Sequence, residues 1–266
     1  MSPRLFYAFC AGAVVGTLGG LIGLGGAEFR LPILIGFFGF GPLIAVILNK
    51  AMSLVVVASS LPFRTGIIPL SAILEHWPVI VNLLAGSLLG AWSGASWALR
   101  LKTSTFYIII SVLLIAMAAV LLVGHGVGSL GHPALQGIPL LLAGVIAGFG
   151  IGVVSSLMGV AGGELLIPTL VLLYGIDVKL AGSLSLVVSL PTMITGFLRY
   201  SRDDSFKVLK SQWSFCLSMA SGSLLGAFLG AQLLHVVDAR FLLPSLSVIL
   251  LISAWKVARH ARGGFS

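Results

Sequence analysis

Charged side chains are scarce in this chain of 266 residues: Asp, Glu, Lys and Arg together make up 8%, whereas 58% of the residues are hydrophobic. Soluble domains carry about 25% charged residues, so too few charges are available here to cover a surface that faces water. Disordered chains combine low hydrophobicity with high net charge, and the same figures therefore exclude disorder. With a mean hydropathy of +1.15, the composition indicates an integral membrane protein.

Acidic residues and cysteines are rarer still, with seven of the former and two of the latter. The net charge of +8 comes from Lys and Arg, which accumulate in the cytoplasmic loops of membrane proteins, so we predict no nucleic-acid partner. Cys10 and Cys216 lack the spacing of a metal site, and the sequence contains no G-x-S-x-G or H-E-x-x-H motif. We therefore predict no metal, no cofactor and no enzymatic activity.

Apolar runs are abundant and continuous, as over residues 106–123. Strands of a transmembrane barrel would alternate apolar and polar residues, so the pattern predicts an all-α integral membrane fold. A membrane span needs about 20 residues, and the runs at 31–40 and 165–175 are too short to cross. The runs fall at 5–24, 31–40, 43–63, 77–98, 105–123, 138–158, 165–175, 180–198, 213–234 and 241–256.

The second half of the chain repeats the first at an offset of 136 residues. Residues 11–39 match 147–175 at ten of 29 positions, and residues 77–98 match 213–234 at nine of 22 positions. One constant offset in two separate blocks indicates a duplication. We predict two homologous halves, each with a broken or re-entrant glycine-rich helix and three or four full spans. The first membrane repeat covers 1–123, a linker covers 124–137, and the second repeat covers 138–266.

The distribution of Lys and Arg favours two halves of inverted orientation. Inverted halves place 11 basic residues on the cytoplasmic side and three outside, whereas parallel halves place nine and four. Basic residues are enriched on the cytoplasmic side, and both arrangements put both termini there. We predict a multi-pass protein of the inner (cytoplasmic) membrane, with residues 199–212 in the cytoplasm and residues 64–76 outside.

A glycine-rich break followed by Glu and Pro opens both short runs. The motif reads GGAEFRLP over residues 25–32 and AGGELLIP over residues 161–168. Glycines allow an unwound backbone at membrane depth where it is surrounded by protein or lines a cavity. Proline suits the first turn of a new helix, and the free N–H groups of such a helix start attract anions. Paired broken helices at matching positions indicate the binding site of a transporter.

This repeated motif resembles that of the sulfite exporter TauE/SafE family, also called the toluene-sulfonate uptake permease family. The resemblance covers nearly the whole chain and is clearest in GVAGGELLIPTLVLLYGIDVKLAG, residues 159–182. It implies a secondary carrier for small sulfur-containing or organic anions such as sulfite, sulfonates and sulfoacetate. Export, proton-coupled or driven by the membrane potential, fits the family. Uptake is the close alternative, and a membrane-embedded enzyme or sensor is the alternative from another class.

The candidate substrate ligands lie at and after the two breaks. Arg30 is the first choice because an arginine holds a sulfonate or sulfite bidentately, and Leu166 replaces it in the second half. Arg64 and Arg199 end matching spans and are better explained by the membrane interface. Serines in membrane helices either line a cavity or bond to their own helix. The predicted substrate-binding residues are Gly25, Gly26, Arg30, Asn49, Gly162, Gly163 and Ser185.

Glu28 and Glu164 occupy the same position in the two copies. A carboxylate inside a membrane is costly and is functional by default, so we predict proton or ion coupling at both. The alternative is that each carboxylate accepts hydrogen bonds from the N–H groups that open its short helix. Because Arg30 accompanies only Glu28, Glu164 is the stronger candidate for a proton carrier.

Glycines recur at every fourth position in the two matching spans that begin at Trp77 and Trp213. Small residues with this spacing allow helices to pack closely, either within one chain or between subunits. A homo-oligomer formed through these helices is therefore predicted alongside the anion and the lipid bilayer as partners. The glycines are Gly86, Gly90, Gly94, Gly222, Gly226 and Gly230.

Overall fold

The computed structural model describes residues 2–22, 26–65, 70–123, 135–233 and 239–262. It is 87% helical, and the described residues form no strand, which confirms the all-α prediction. The α-helices are α1 (Pro3–Ile22), α2 (Ala27–Gly36), α3 (Pro42–Thr65), α4 (Leu70–Glu75), α5 (Trp77–Ala98), α6 (Thr103–Val123), α7 (Ile138–Met158), α8 (Gly163–Tyr174), α9 (Val178–Tyr200), α10 (Lys207–Ser211), α11 (Trp213–Leu233) and α12 (Ala239–Arg262).

Five helices of the described ranges are long and apolar enough to cross a membrane. These spans lie within α3, α5, α7, α9 and α11 and run over Pro42–Ser59, Trp77–Ala98, Ile138–Met158, Leu180–Tyr200 and Trp213–Gly230. The five are consistent with a multi-pass membrane protein. The predicted linker at 124–137 lies mostly outside the described residues.

The two short runs form short helices that begin directly after a glycine. Helix α2 has 10 residues and α8 has 12, which at 1.5 Å per residue gives roughly 15 and 18 Å. A hydrocarbon core is about 30 Å thick, so neither helix crosses it alone. Gly26 precedes α2 with φ 70° and Gly162 precedes α8 with φ 82°. This left-handed backbone favours glycine and sets where each short helix begins.

The prolines of the two motifs lie deeper in their helices than the sequence suggested. Pro32 and Pro168 are interior residues, each at the sixth position of its helix, rather than residues of the first turn. The prediction was wrong because α2 and α8 begin at once after the glycines. A proline has no N–H for the carbonyl four residues earlier, and those carbonyls belong to Glu28 and Glu164. Each proline therefore removes one helical hydrogen bond at the residue that carries the carboxyl group.

Two long helix pairs dominate the packing: α1 runs along α11, and α5 runs along α7. Glycine makes both approaches close, because a Cβ on Gly12 would strike the backbone of Met219, and one on Gly148 would strike that of Leu83. The two relations differ by 136 residues at each partner, which is the offset of the predicted duplication. The duplication and the inverted orientation of its halves remain predictions.

The glycines that recur at every fourth position are used inside the chain. Gly86, Gly90 and Gly94 face the backbone of α7, while Gly222 and Gly226 face that of α1. These faces are therefore filled by neighbouring helices of the same chain. Homo-oligomerisation remains a prediction, and it would require a surface other than these glycine faces.

Helix α3 lies between the two breaks. It contacts α2, which follows the first break, and α7, which ends at the second. It also contacts α9 and α11. This central position allows side chains of α3 to reach both breaks.

Candidate functional site

Asn49 of α3 joins the two breaks. Its Nδ2 donates to the carbonyl oxygen of Ala27, which begins α2, and to that of Met158, which ends α7, at 3.0 Å each. The carbonyl of Met158 has no partner in its own helix because α7 stops there. One fully buried amide therefore fixes the end of one helix against the start of another.

Arg30 lies in the first turn of α2 and is fully buried. Its Nη1 donates to Asn49 Oδ1 at 3.3 Å and to Ser53 Oγ at 3.1 Å, and its Nη2 donates to Ser223 Oγ at 3.3 Å. All three partners are neutral, and Glu28 acts on the guanidinium electrostatically without forming an ion pair with it. The Nε has no hydrogen-bond partner. Burial of a charge without a counter-ion is costly, so this site attracts an anion.

Glu28 and Glu164 meet although they are 136 residues apart. Their side chains are 1% and 4% exposed, and the two carboxyl groups act directly on each other. Each carboxyl also lies near the backbone amide of its own residue, yet none of the four oxygens has a hydrogen-bond partner of acceptable geometry. The structure therefore does not form the helix-end hydrogen bonds of the alternative interpretation.

The second half has hydroxyl groups where the first half has its cation site. Leu166 replaces Arg30, while Ser185 and Ser189 stand at the positions of Asn49 and Ser53. The Oγ of Ser185 donates to the carbonyl of Gly182 in its own helix at 2.9 Å, and the Oγ of Ser189 is buried without a partner. The two copies are therefore not chemically equivalent.

Lys50 is a second fully buried cation, and it was not among the predicted ligands. Its Nζ donates to the carbonyl of Ser155 at 3.2 Å and to Ser156 Oγ at 3.4 Å. The hydroxyl of Tyr200 donates to the carbonyl of Ser156 at 2.9 Å. Cations and donors at a helix C-terminus satisfy its last carbonyls and its dipole. The signal in the sequence was a lysine inside the apolar run at 43–63, and its effect is to hold the end of α7.

Arg199 lies at the end of α9 and is not near the breaks. Its Nε donates to Ser96 Oγ at 2.7 Å, and its guanidinium lies 5.8 Å from the ring centroid of Trp92. These contacts agree with the interface interpretation. Gly25 and the side chain of Arg64 lie outside the described residues.

A helical membrane protein in which two broken helices meet beside buried charges is typical of secondary transporters. The comparison with protein families gives the particular family: the Sulfite exporter TauE/SafE family model matches residues 8–259. The chain belongs to this family, which confirms the resemblance seen in the motifs. Membership implies a membrane transporter for sulfite or related anions. No curated protein and no solved structure matches the chain.

Proposed function

We propose that the protein is a secondary transporter that exports small sulfur-containing or organic anions, such as sulfite, sulfonates or sulfoacetate, across the cytoplasmic membrane. In this proposal Arg30 binds the anion between the two breaks, and Glu28 and Glu164 couple its movement to protons. Family membership supplies the class of transporter. The neutral surroundings of Arg30 supply the main support for the site.

The hydrogen bonds of Arg30 leave room for a stronger partner. Its three contacts measure 3.1 to 3.3 Å, whereas a charge-assisted N–H···O⁻ bond is typically about 2.7–2.9 Å. The unpartnered Nε lies beside an Nη, and this edge of a guanidinium matches two oxygens of a sulfonate or sulfite. An oxyanion that takes this edge satisfies the orphan donor and balances the charge.

The helix starts add donors of the same kind. Gly26 and Gly162 precede α2 and α8 without any side-chain cap, so the first N–H groups of both helices are available to an anion. Gly163, the first residue of α8, carries one of them. Asn49 already uses its amide for Arg30 and for both breaks, so it acts by positioning these groups. Ser185 completes the proposed lining from the second half.

We expect Arg30→Ala to weaken sulfite binding roughly 10- to 150-fold, because a charge-assisted contact contributes about 1.5–3 kcal/mol. Calorimetric titration of the purified protein measures the effect, with sulfite, thiosulfate, sulfoacetate and small carboxylates compared side by side. Arg199→Ala is the matched control, since Arg199 contacts Ser96 and Trp92 instead. Equal affinity in the wild type and Arg30→Ala would remove Arg30 from the site.

Two alternatives give different results in cells and vesicles. An exporter protects cells that express it against added sulfite, whereas an uptake permease makes them more sensitive. A membrane-embedded enzyme or sensor would move no anion across the membrane of a reconstituted vesicle. Growth in sulfite and vesicle flux together therefore separate export from uptake and from the non-transport functions.

A further inference from the structure

The contact between Glu28 and Glu164 creates two physical problems for the ionised pair. Both carboxylates would only accept hydrogen bonds, and their four buried oxygens have no donor. The two groups also act directly on each other, and like charges at contact in a low-dielectric interior repel strongly. A fully ionised pair therefore does not fit the closed surroundings that the structure shows.

One proton solves both problems. Placed on either carboxyl group, it supplies the missing donor and leaves a single negative charge on the pair. We propose that Glu28 and Glu164 form one site for one shared proton, and that the protein closes around the pair only when this proton is bound. The consequence for transport rests on the proposed function, whereas the presence of the proton does not.

The charges around the pair suit one remaining negative charge. Arg30 acts on Glu28 from the same helix, and Cys216 of α11 acts on Arg30. Lys50 of α3 is directed to the end of α7 instead. The other titratable groups on the helices packed against α2 and α8 are Arg4, Tyr7 and Cys10 of α1, Tyr107 of α6, Arg199 and Tyr200 of α9, and Lys256 and Arg259 of α12.

The shared proton makes closure depend on pH. When the pair opens to water, hydration permits both carboxyl groups to ionise, and the proton leaves to that side of the membrane. The pair must regain a proton from the accessible side before the protein closes again. Each closed passage therefore uses one proton, and anion flux falls as pH rises because the proton-bound pair is depleted.

Single glutamine substitutions distinguish a shared site from two separate ones. The amide that replaces either carboxyl group donates to the remaining carboxylate, and so takes over the part of the proton. Glu28→Gln and Glu164→Gln should therefore each abolish the pH dependence of flux to the same extent. Loss in one variant alone would contradict the shared site and favour a single proton carrier.

Infrared spectroscopy measures the proton itself, without any transport. At neutral pH the wild type should show one protonated carboxyl group per chain, as a carbonyl stretch that shifts in heavy water. Glu28→Gln and Glu164→Gln should each remove the whole band, while Glu75→Gln, at an exposed residue of α4, leaves it unchanged. A band halved by each variant would show two independent protonated groups and overturn the proposal.

Thermal unfolding of each variant establishes that it is folded. Should either variant fail to fold, the amplitude of the wild-type band decides, because no protonated carboxyl group or two of them per chain contradict the proposal. Absence of anion flux together with the expected infrared result would refute the transport function and leave the shared proton standing.

Discussion

At the scale of single residues, four ionisable side chains are buried in the same interior and are stabilised in different ways. Lys50 donates to oxygens at the end of α7. Arg30 donates to neutral oxygens and retains an unpartnered Nε. Glu28 and Glu164 have each other. The cation that is least satisfied by the protein is therefore the one available to a substrate.

This difference separates a structural cation from a binding one. We expect Lys50→Met to lower the stability of the protein by about 1–3 kcal/mol, the cost of leaving a buried acceptor such as the Ser155 carbonyl unsatisfied. Sulfite affinity should stay within about threefold of the wild type, a difference below ~0.7 kcal/mol. Thermal unfolding and calorimetric titration of the same sample measure both quantities. A variant of normal stability that no longer binds sulfite would move the anion site to Lys50.

Some of these residue relations were readable from the sequence and others were not. The matched positions of Glu28 and Glu164 follow from the repeat, but their contact does not, because an offset says nothing of which residues meet between halves. The capping of α7 by Lys50 was equally hidden. The end of α7 at Met158 had to be known before a lysine on another helix acquired a partner.

At the scale of elements, the apolar pattern predicted the helices well. Residues 77–98 and 138–158 were predicted as spans, and α5 and α7 have these bounds. Helix α2 begins at Ala27, four residues before the predicted run, because the left-handed Gly26 rather than hydrophobicity sets its start. The same cause placed Pro32 and Pro168 inside their helices. Hydrophobic periodicity locates a span, whereas backbone conformation decides where a broken helix resumes.

Close helix packing at the element scale gives a stability prediction. A Cβ on Gly86 of α5 would strike the backbone of Val145 and Phe149 of α7, and overpacking of this kind costs about 1–3 kcal/mol. We therefore expect Gly86→Ala to lower the unfolding temperature clearly. Thermal unfolding in detergent measures the change.

Gly150 of α7 provides the matched control for this prediction, since a Cβ there meets nothing within 4 Å. Gly150→Ala should leave the unfolding temperature unchanged or raise it slightly, because alanine has the higher helix propensity. If Gly86→Ala and Gly150→Ala were equally stable, the close approach of α5 and α7 would be refuted.

At the scale of the whole molecule, the charge distribution predicts how the chain sits in the membrane. We expect Ser205→Cys to be labelled by a membrane-impermeant reagent only after the cells are opened, and Ser71→Cys to be labelled in intact cells. The reason is the 11 to three distribution of Lys and Arg in the inverted arrangement. Cys10 and Cys216 are replaced by serine in the parent for both variants. Equal labelling of the two positions in intact cells would show that the halves are parallel.

The whole-molecule account is that an anion crosses the membrane by binding to Arg30 between two broken helices. Flux of radiolabelled sulfite into vesicles reconstituted with the purified protein, kept free of oxygen, tests this most directly. We expect sulfite flux for the wild type and for Arg199→Ala, and a loss of at least about 10-fold for Arg30→Ala at sulfite concentrations below saturation. Equal flux for the wild type and Arg30→Ala, or none for a folded wild type across the whole anion panel, would contradict the account.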